Sequence, residues 1–216
     1  MSTLRVDTIA NTAGVTNQRV LQVLQTVKTD TFSTSSSTFA DITGMAVSIT
    51  PSSASNKILV MYTVNVSEDS SQFPIIRILR GATDIASGAV SGSRTSGTSS
   101  SWGGGAVNNT NVQTMQFLDS PSTTSATTYK LQVISTASQA FYLNKNERDN
   151  DANYEPRLIS TITVMEIAGL TIKLFTHYIL MLYLLMMVQV LWTLTVTQLL
   201  LIWMQLTLGL ILSNTQ

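Results

Sequence analysis

The chain has no cysteine. That removes disulfides, thiolate nucleophiles and cysteine-ligated zinc from consideration. A single histidine, His177, leaves no material for a Ser–His triad or a histidine-rich metal cluster in the main body. Charge is scarce as well. Only 11% of residues are charged, 12 basic against 12 acidic, for a formal net charge of zero. Phosphate binding needs a basic face, so nucleic acid is not an expected partner. Met1–Asp7 lacks the apolar core of a signal peptide, so export through a secretory pathway is not expected. Catalytic signatures are missing too. Gly103-Gly104-Gly105 is not followed by Lys-Ser/Thr, as a phosphate loop requires. Asp119, Glu147 and Asp151 fall in turn or loop segments with no sign of a convergent carboxylate pair. Glu147-Arg148-Asp149-Asn150-Asp151 lacks the Gly and terminal Glu of a calcium loop, and reads as a solvated loop. No enzymatic activity, no cofactor and no metal site are expected.

What the chain has is alternation. Met45, Val47 and Ile49 alternate with Ala46 and Ser48, a period of two that puts the apolar set on one face of a strand. Pro51-Ser52-Ser53-Ala54-Ser55-Asn56 breaks the pattern with turn residues. A longer strand then sets Ile58, Val60, Tyr62, Val64 and Val66 on one side, with Leu59, Met61, Thr63 and Asn65 on the other. Further strands are expected over 20–28, 73–80, 112–118, 128–134, 141–143 and 159–167, separated by Gly-, Pro-, Ser- or Asn-rich turns. Val20–Lys28 has helical as well as strand spacing, and its β-rich surroundings favour strand. The fold class is therefore all-β: a jelly-roll-like antiparallel β-sandwich over residues 20–169. Residues 1–19 read as an attachment or oligomerisation arm, with a frayed terminus as the plain alternative. Leu59, Met61, Leu79, Ile134 and Met165 are apolar where alternation expects polar residues, so they are the candidate subunit interface. The loop over 99–111 is the candidate receptor-contact surface, through Trp102, Asn108, Asn109 and Asn111. Trp102, Phe141 and Tyr142 are candidate sugar platforms, weighed against a plain core role.

Met1-Ser2-Thr3-Leu4-Arg5-Val6-Asp7-Thr8-Ile9 resembles the opening of tail-fibre and appendage proteins of marine bacteriophages. Five further phrases resemble the recurrent strands of the same group: 47–60, 79–83, 117–121, 127–133 and 162–169. They occur in the same order, and together the resemblance covers roughly residues 1–169. Such proteins are similar to trimeric jelly rolls of the complement and tumour-necrosis-factor type. The resemblance implies a virion structural protein, a homotrimer with other virion proteins and a host-surface glycan or protein as partners. It brings no catalytic residues.

After Gly169 the composition changes. Every acidic and basic residue lies at or before Lys173, and Leu, Met, Ile, Val, Thr and Gln dominate from Leu174 to Gln216. This apolar tail over 170–216 is expected to be helical if ordered. Three readings compete. The tail is a membrane hairpin, one good span and one poor one, making the chain a membrane-anchored β-sandwich adhesin through 174–212. Or it is an apolar extension buried in the oligomer. Or it is the product of a shifted reading frame or read-through past the family-like ending Met165-Glu166-Ile167-Ala168-Gly169, since it lacks caps, prolines and charged flanks other than Lys173. Reading the gene across codon 169 in all three frames separates them. A fibre-like sequence in another frame is the expected result of a frame change and would rule out a membrane partner.

Overall fold

The period-two alternation is realised as two packed antiparallel sheets. The structure, a computed structural model, describes residues 19–68, 73–101, 109–136, 139–169 and 175–213. The N-terminal arm expected over 1–19 lies outside the described residues, apart from Arg19. Residues 18–170 form one compact unit, and the C-terminal helix belongs to a second. In chain order the strands are β1 (Val20–Lys28), β2 (Phe32–Thr34), β3 (Ala40–Ile49), β4 (Lys57–Glu68), β5 (Ile75–Arg80), β6 (Thr83–Asp84), β7 (Ser99–Ser100), β8 (Asn111–Asp119), β9 (Thr127–Ile134), β10 (Phe141–Leu143) and β11 (Ser160–Ile167). One sheet runs β1-β11-β4-β10-β2, with β8 also paired to β4; the other runs β3-β9-β5-β6, with β7 also paired to β5. Every pairing is antiparallel. The result is the jelly-roll-like β-sandwich that the turn spacing implies.

Strand β4 is the hub. Val66 pairs with Leu143 and Asn111, and Tyr62 pairs with Ile162 and Met115, so neighbours occupy both of its edges. Its inward set Ile58, Val60, Tyr62, Val64 and Val66 is essentially solvent-free. These side chains share one core with Ile162 and Val164 of β11 and with Met45, Val47, Ile49, Ile76, Ile78, Tyr129, Leu131 and Val133 of the other sheet. Continuous β-branched and aromatic stock at alternate positions gives both the strand preference and the hydrophobic driving force. One irregularity is built in. The register of β3 against β9 shifts between Asp41 and Ala46, and Gly44 there has φ +84°, a conformation L side chains rarely adopt. A Cβ at Gly44 would lie 3.3 Å from the Lys28 ammonium, which is itself buried.

One end of the sandwich is closed by two buried carboxylates. Glu166 of β11 is fully buried and accepts from Gln22 Nε2 at 2.6 Å, Ser52 N at 2.7 Å, Ser52 Oγ at 2.8 Å and Asn56 Nδ2 at 2.5 Å. Asn56 Oδ1 in turn accepts from Gly169 N at 2.9 Å. The β3–β4 turn, β1 and the chain after β11 are thus tied to one side chain. Beside it, Asp119 of β8 accepts two hydrogen bonds from Arg80 Nη1 at 2.9 Å and one from Tyr129 Oη at 2.7 Å. Burial pushes the Tyr129 phenol up, and the neighbouring Asp119 pushes it further, so it stays a hydrogen-bond donor.

Helix α1 (Phe175–Ser213) has 39 residues and no charge in its first or last turn. Its length is about 58 Å at 1.5 Å per residue. Between Met181 and Leu208 its described apolar side chains are exposed on every side. The helix runs unbroken through the polar stretch between the two apolar runs. Thr193, Thr195 and Thr197 bond back to the carbonyls of Gln189, Leu191 and Thr193, so their hydroxyls are satisfied without a turn.

Burial alone would raise the Glu166 pKa, but the hydrogen bonds from Asn56, Gln22 and Ser52 outweigh it and hold it below its ordinary value of 4.5. A carboxyl depressed in the folded state contributes stability that is complete above the unfolded pKa and lost as pH falls through the folded one. Denaturant titrations from pH 7 to pH 2 are expected to show a loss of stability beginning below about pH 4.5 that Glu166→Gln flattens. Glu166→Ala strands buried donors and is expected to cost about 2–4 kcal/mol at pH 7. An unchanged titration in Glu166→Gln would show that the carboxylate is not the source.

Candidate functional site

The two outer faces of the sandwich differ in chemistry. Register follows from the strand pairings, and it places outward residues of the larger sheet in rows across β1, β11, β4 and β8. One row reads Val23–Met165–Leu59–Leu118, each pair directly opposite the next. Opposed side chains on one face of an antiparallel pair lie about 4.5–5.5 Å apart at Cβ, so this row is a continuous apolar ridge. Val23 and Leu118 at its two ends are both 53% exposed, while Leu59 and Met165 are half-buried. The next row is Gln25–Thr163–Met61–Gln116, and the next Val27–Thr161–Thr63–Thr114. Val20 and Ile167 lie beyond the ridge on the other side, and Lys57, opposite Ile167, is the single charged residue at the margin of these rows. Its ammonium donates to Ser120 Oγ, away from the ridge.

The outer face of the smaller sheet is the reverse. Asp41 bridges Lys130 at 2.8 Å and accepts from Gln132 Nε2 at 2.6 Å. Arg77 donates to Gln132 Oε1 at 2.7 and 3.0 Å, stacks over the Phe39 ring at 3.8 Å and pairs with Asp84 at 3.6 Å. Such a charged, cross-linked lattice is suited to water.

Of the five residues expected at an interface, the structure brings Leu59, Met61 and Met165 together on the larger sheet. It places Leu79 and Ile134 on the other one, because β5 and β9 belong to the smaller sheet. Leu79 is also only 2% exposed, so it has little surface to offer a partner. Val23 and Leu118 complete the ridge. Alternation alone could not add them, because their place in the row depends on which strands pair and in what register.

Of the expected receptor-contact residues, Asn109 and Asn111 are described, and they fall at the opposite end from the Glu166 clasp. Trp102 and Asn108 lie outside the described residues. Asn109 is exposed, and Asn111 opens β8 opposite Val66 with its amide nitrogen buried and without a hydrogen-bond partner. Asn111 therefore offers its backbone strand, not an exposed amide, to that end. Close by is a polar cluster from β4, β7 and β8. Tyr62 Oη and Ser99 Oγ are 2.7 Å apart, Ser99 Oγ donates to Gln113 Oε1 at 2.6 Å, and Gln113 Nε2 is buried without a partner. Burial raises the Tyr62 phenol to about 12, against a smaller opposing effect of Ser99. Glu68, 3% exposed, accepts from Ser101 Oγ at 3.2 Å, and burial pushes its pKa up. Phe141 is core: it is 1% exposed and meets Phe32 edge-on at 6.5 Å, which removes it as a sugar platform. Tyr142 is half-buried with the Lys145 ammonium 5.1 Å from its ring centre.

The loop at 145–157 is internally paired. Asp149 meets Lys145 at 2.9 Å and also pairs with Arg157, while Glu155 accepts from Asn150 N at 2.9 Å. Among the described residues no group of three or more acidic or histidine side chains is placed to hold a metal ion. The candidate functional surface is the outer face of the larger sheet, with its apolar ridge and uncharged rows. No protein-family model matches the chain, and no curated protein matches it.

Proposed function

We propose that the chain is a non-enzymatic structural component of a bacteriophage virion, a tail-fibre or appendage subunit that assembles as a homotrimer and contacts a host surface. The observation that carries this reading is the chemical contrast between the two outer faces. One face is laced with ion pairs, and the other is apolar and amide-bearing across four strands with a lysine only at its margin. Exposed apolar patches of that extent signal association.

The resemblance adds a second line of support. The phrases that carry it contact one another in the fold. Ser52 and Asn56 of one phrase hold Glu166 of another, and Arg80, Asp119 and Tyr129 join the remaining three. They form the closed end of the sandwich, while residues 99–101 and 109–111, the described parts of the candidate contact loop, lie at the other. This division matches a scaffold that holds a fixed clasp and presents variable loops.

A second reading rests on α1. Met181–Leu208 spans 28 residues at mean hydropathy 1.9, long and apolar enough to cross a bilayer, which needs about 20. In that reading the chain is a membrane-anchored β-sandwich adhesin. One experiment addresses both. The full chain is purified in mild detergent, its mass is measured by light scattering with the detergent subtracted, and it is then mixed with lipid for flotation. A mass three times the 23.5 kDa chain is expected. A monomer at micromolar concentration would overturn the trimer, and flotation that survives high salt and alkaline carbonate would favour the anchored adhesin.

A further inference from the structure

We propose that Glu68 is a pH-sensitive latch, which holds β7 and Ser101 against β4 and β8 while its carboxyl is protonated and lets them part when it ionises. The proposal goes beyond the function proposed above and does not rest on it. It starts from the contrast between two buried carboxyls at the two ends of β4. Glu166, opposite Ile58, accepts four hydrogen bonds at 2.5–2.8 Å. Those are the short contacts of an ionised acceptor. Glu68, the last residue of β4, is 3% exposed and shares one hydroxyl, Ser101 Oγ, between its two oxygens at 3.2 Å from each.

The elements around Glu68 bring it no counter-charge among the described residues. From β10, Phe141 stands opposite it. Opposed residues of an antiparallel pair share a face. Asn111 and Gln113 of β8, opposite the core residues Val66 and Val64, therefore point between the sheets as Glu68 does. Tyr62 meets Ser99 there, and its phenol, pushed up to about 12, is neutral. Lys145, whose carbonyl accepts from Ser67, is paired with Asp149. Arg77 of β5 and Lys130 of β9 are paired on the outer face of the smaller sheet, and Asp119 of β8 sits at the clasp end. Two amide donors stay unused: Gln113 Nε2 and Asn111 Nδ2 are buried without a partner. An ionised carboxyl between the sheets would draw on them. Their idleness and the long contacts to Ser101 fit a neutral one.

Burial raises the Glu68 pKa above its ordinary 4.5, against a smaller lowering by Ser101. With that end parted and wet, the carboxyl returns towards the ordinary value. The closed form therefore binds the proton more tightly, and a pH rising from 4.5 through the closed-form pKa favours parting. Glu166 behaves in reverse, because its contribution is lost as pH falls. On parting, β7 stays with β5 through its pairing to Ile75 and Ile76. What yields is the side-chain join between the sheets: Ser101 to Glu68, Tyr62 to Ser99 and Ser99 to Gln113.

The chain has no cysteine, so a single introduced thiol reports the opening. Val66→Cys lies beside Glu68 on the core side of β4, and Ile58→Cys lies on the same strand at the Glu166 end. Each is made in the full-length chain in mild detergent, with Glu68 retained and with Glu68→Gln. Reaction with dithiodipyridine is timed from about pH 4.5 to about pH 8. Dividing by the rate for the urea-unfolded chain at the same pH removes the thiol's own titration. With Glu68 retained, Val66→Cys is expected to lose protection at least threefold as pH rises. Glu68→Gln is expected to hold that protection constant, and Ile58→Cys to stay protected throughout. Constant protection with Glu68 retained, an equal loss in Glu68→Gln or an equal loss at Ile58→Cys overturns the latch. If circular dichroism shows that Val66→Cys disturbs the strands, the carbon-13 carboxyl signal of Glu68 is titrated in the cysteine-free chain, assigned by its absence in Glu68→Gln. A midpoint above 4.5 is expected, and one at or below 4.5 overturns the latch.

Discussion

The sandwich depends on a carboxylate whose charge is held by uncharged donors. Glu166 is fully buried, and its charge is held by two side-chain amides, a hydroxyl and a backbone N–H. Taking a carboxylate out of water is costly unless hydrogen bonds replace those it loses. Four donors do so, and each comes from a segment that would otherwise be an independent loop or edge. Desolvation thereby becomes a means of fixing geometry: the β3–β4 turn cannot move without exposing the carboxylate or orphaning its donors. Asp119, with Arg80 and Tyr129, does the same for β8, β5 and β9 at the same end. The two sheets are joined there by polar chemistry and elsewhere by the apolar core.

With one end closed in this way, the remaining surface divides by chemistry. The smaller sheet is faced with ion pairs, the larger with an apolar ridge flanked on one side by two uncharged rows. Residues carrying no charge on a β-sheet face are costly to leave in water only when they are large and contiguous, and register makes the ridge contiguous. Scattered singly along the chain, the same four residues would need no explanation.

Much of this was legible in the sequence. Period-two alternation located β3, β4, β9 and β11, and turn residues between them gave the sandwich. The short strands β2, β6 and β7 were not visible, because two or three residues carry no periodicity. Sheet membership was not visible either. Leu79 and Leu59 look alike in their local pattern, both apolar between alternating neighbours, yet they end on opposite sheets because β5 pairs β9 while β4 pairs β11. The burial of Leu79 shows that an outward position is not always an exposed one. The Glu166 clasp was hidden for a related reason. Ser52 and Asn56 belong to a turn and Gln22 to a distant strand, and only the long-range pairing of β1 with β11 brings Gln22 onto the same side chain. Within the helix, threonine hydroxyls are satisfied by the turn below, which no hydropathy pattern records.

Strand β11 is at once the last strand of the sandwich and an inner one, flanked by β1 and β4. Among the described strands the first pairs only with this last one, so that part of the sheet cannot close before residues 20 and 167 are brought together. Contacts of such long sequence separation carry a large loop-closure cost before they repay it. A change of reading frame before β11 would delete an interior strand and open the sheet. A change after Gly169 would leave every strand and both clasp carboxylates in place. Gly169, whose N–H reaches Asn56 Oδ1, thus ends the part of the chain that supplies the sandwich with its strands and its clasp.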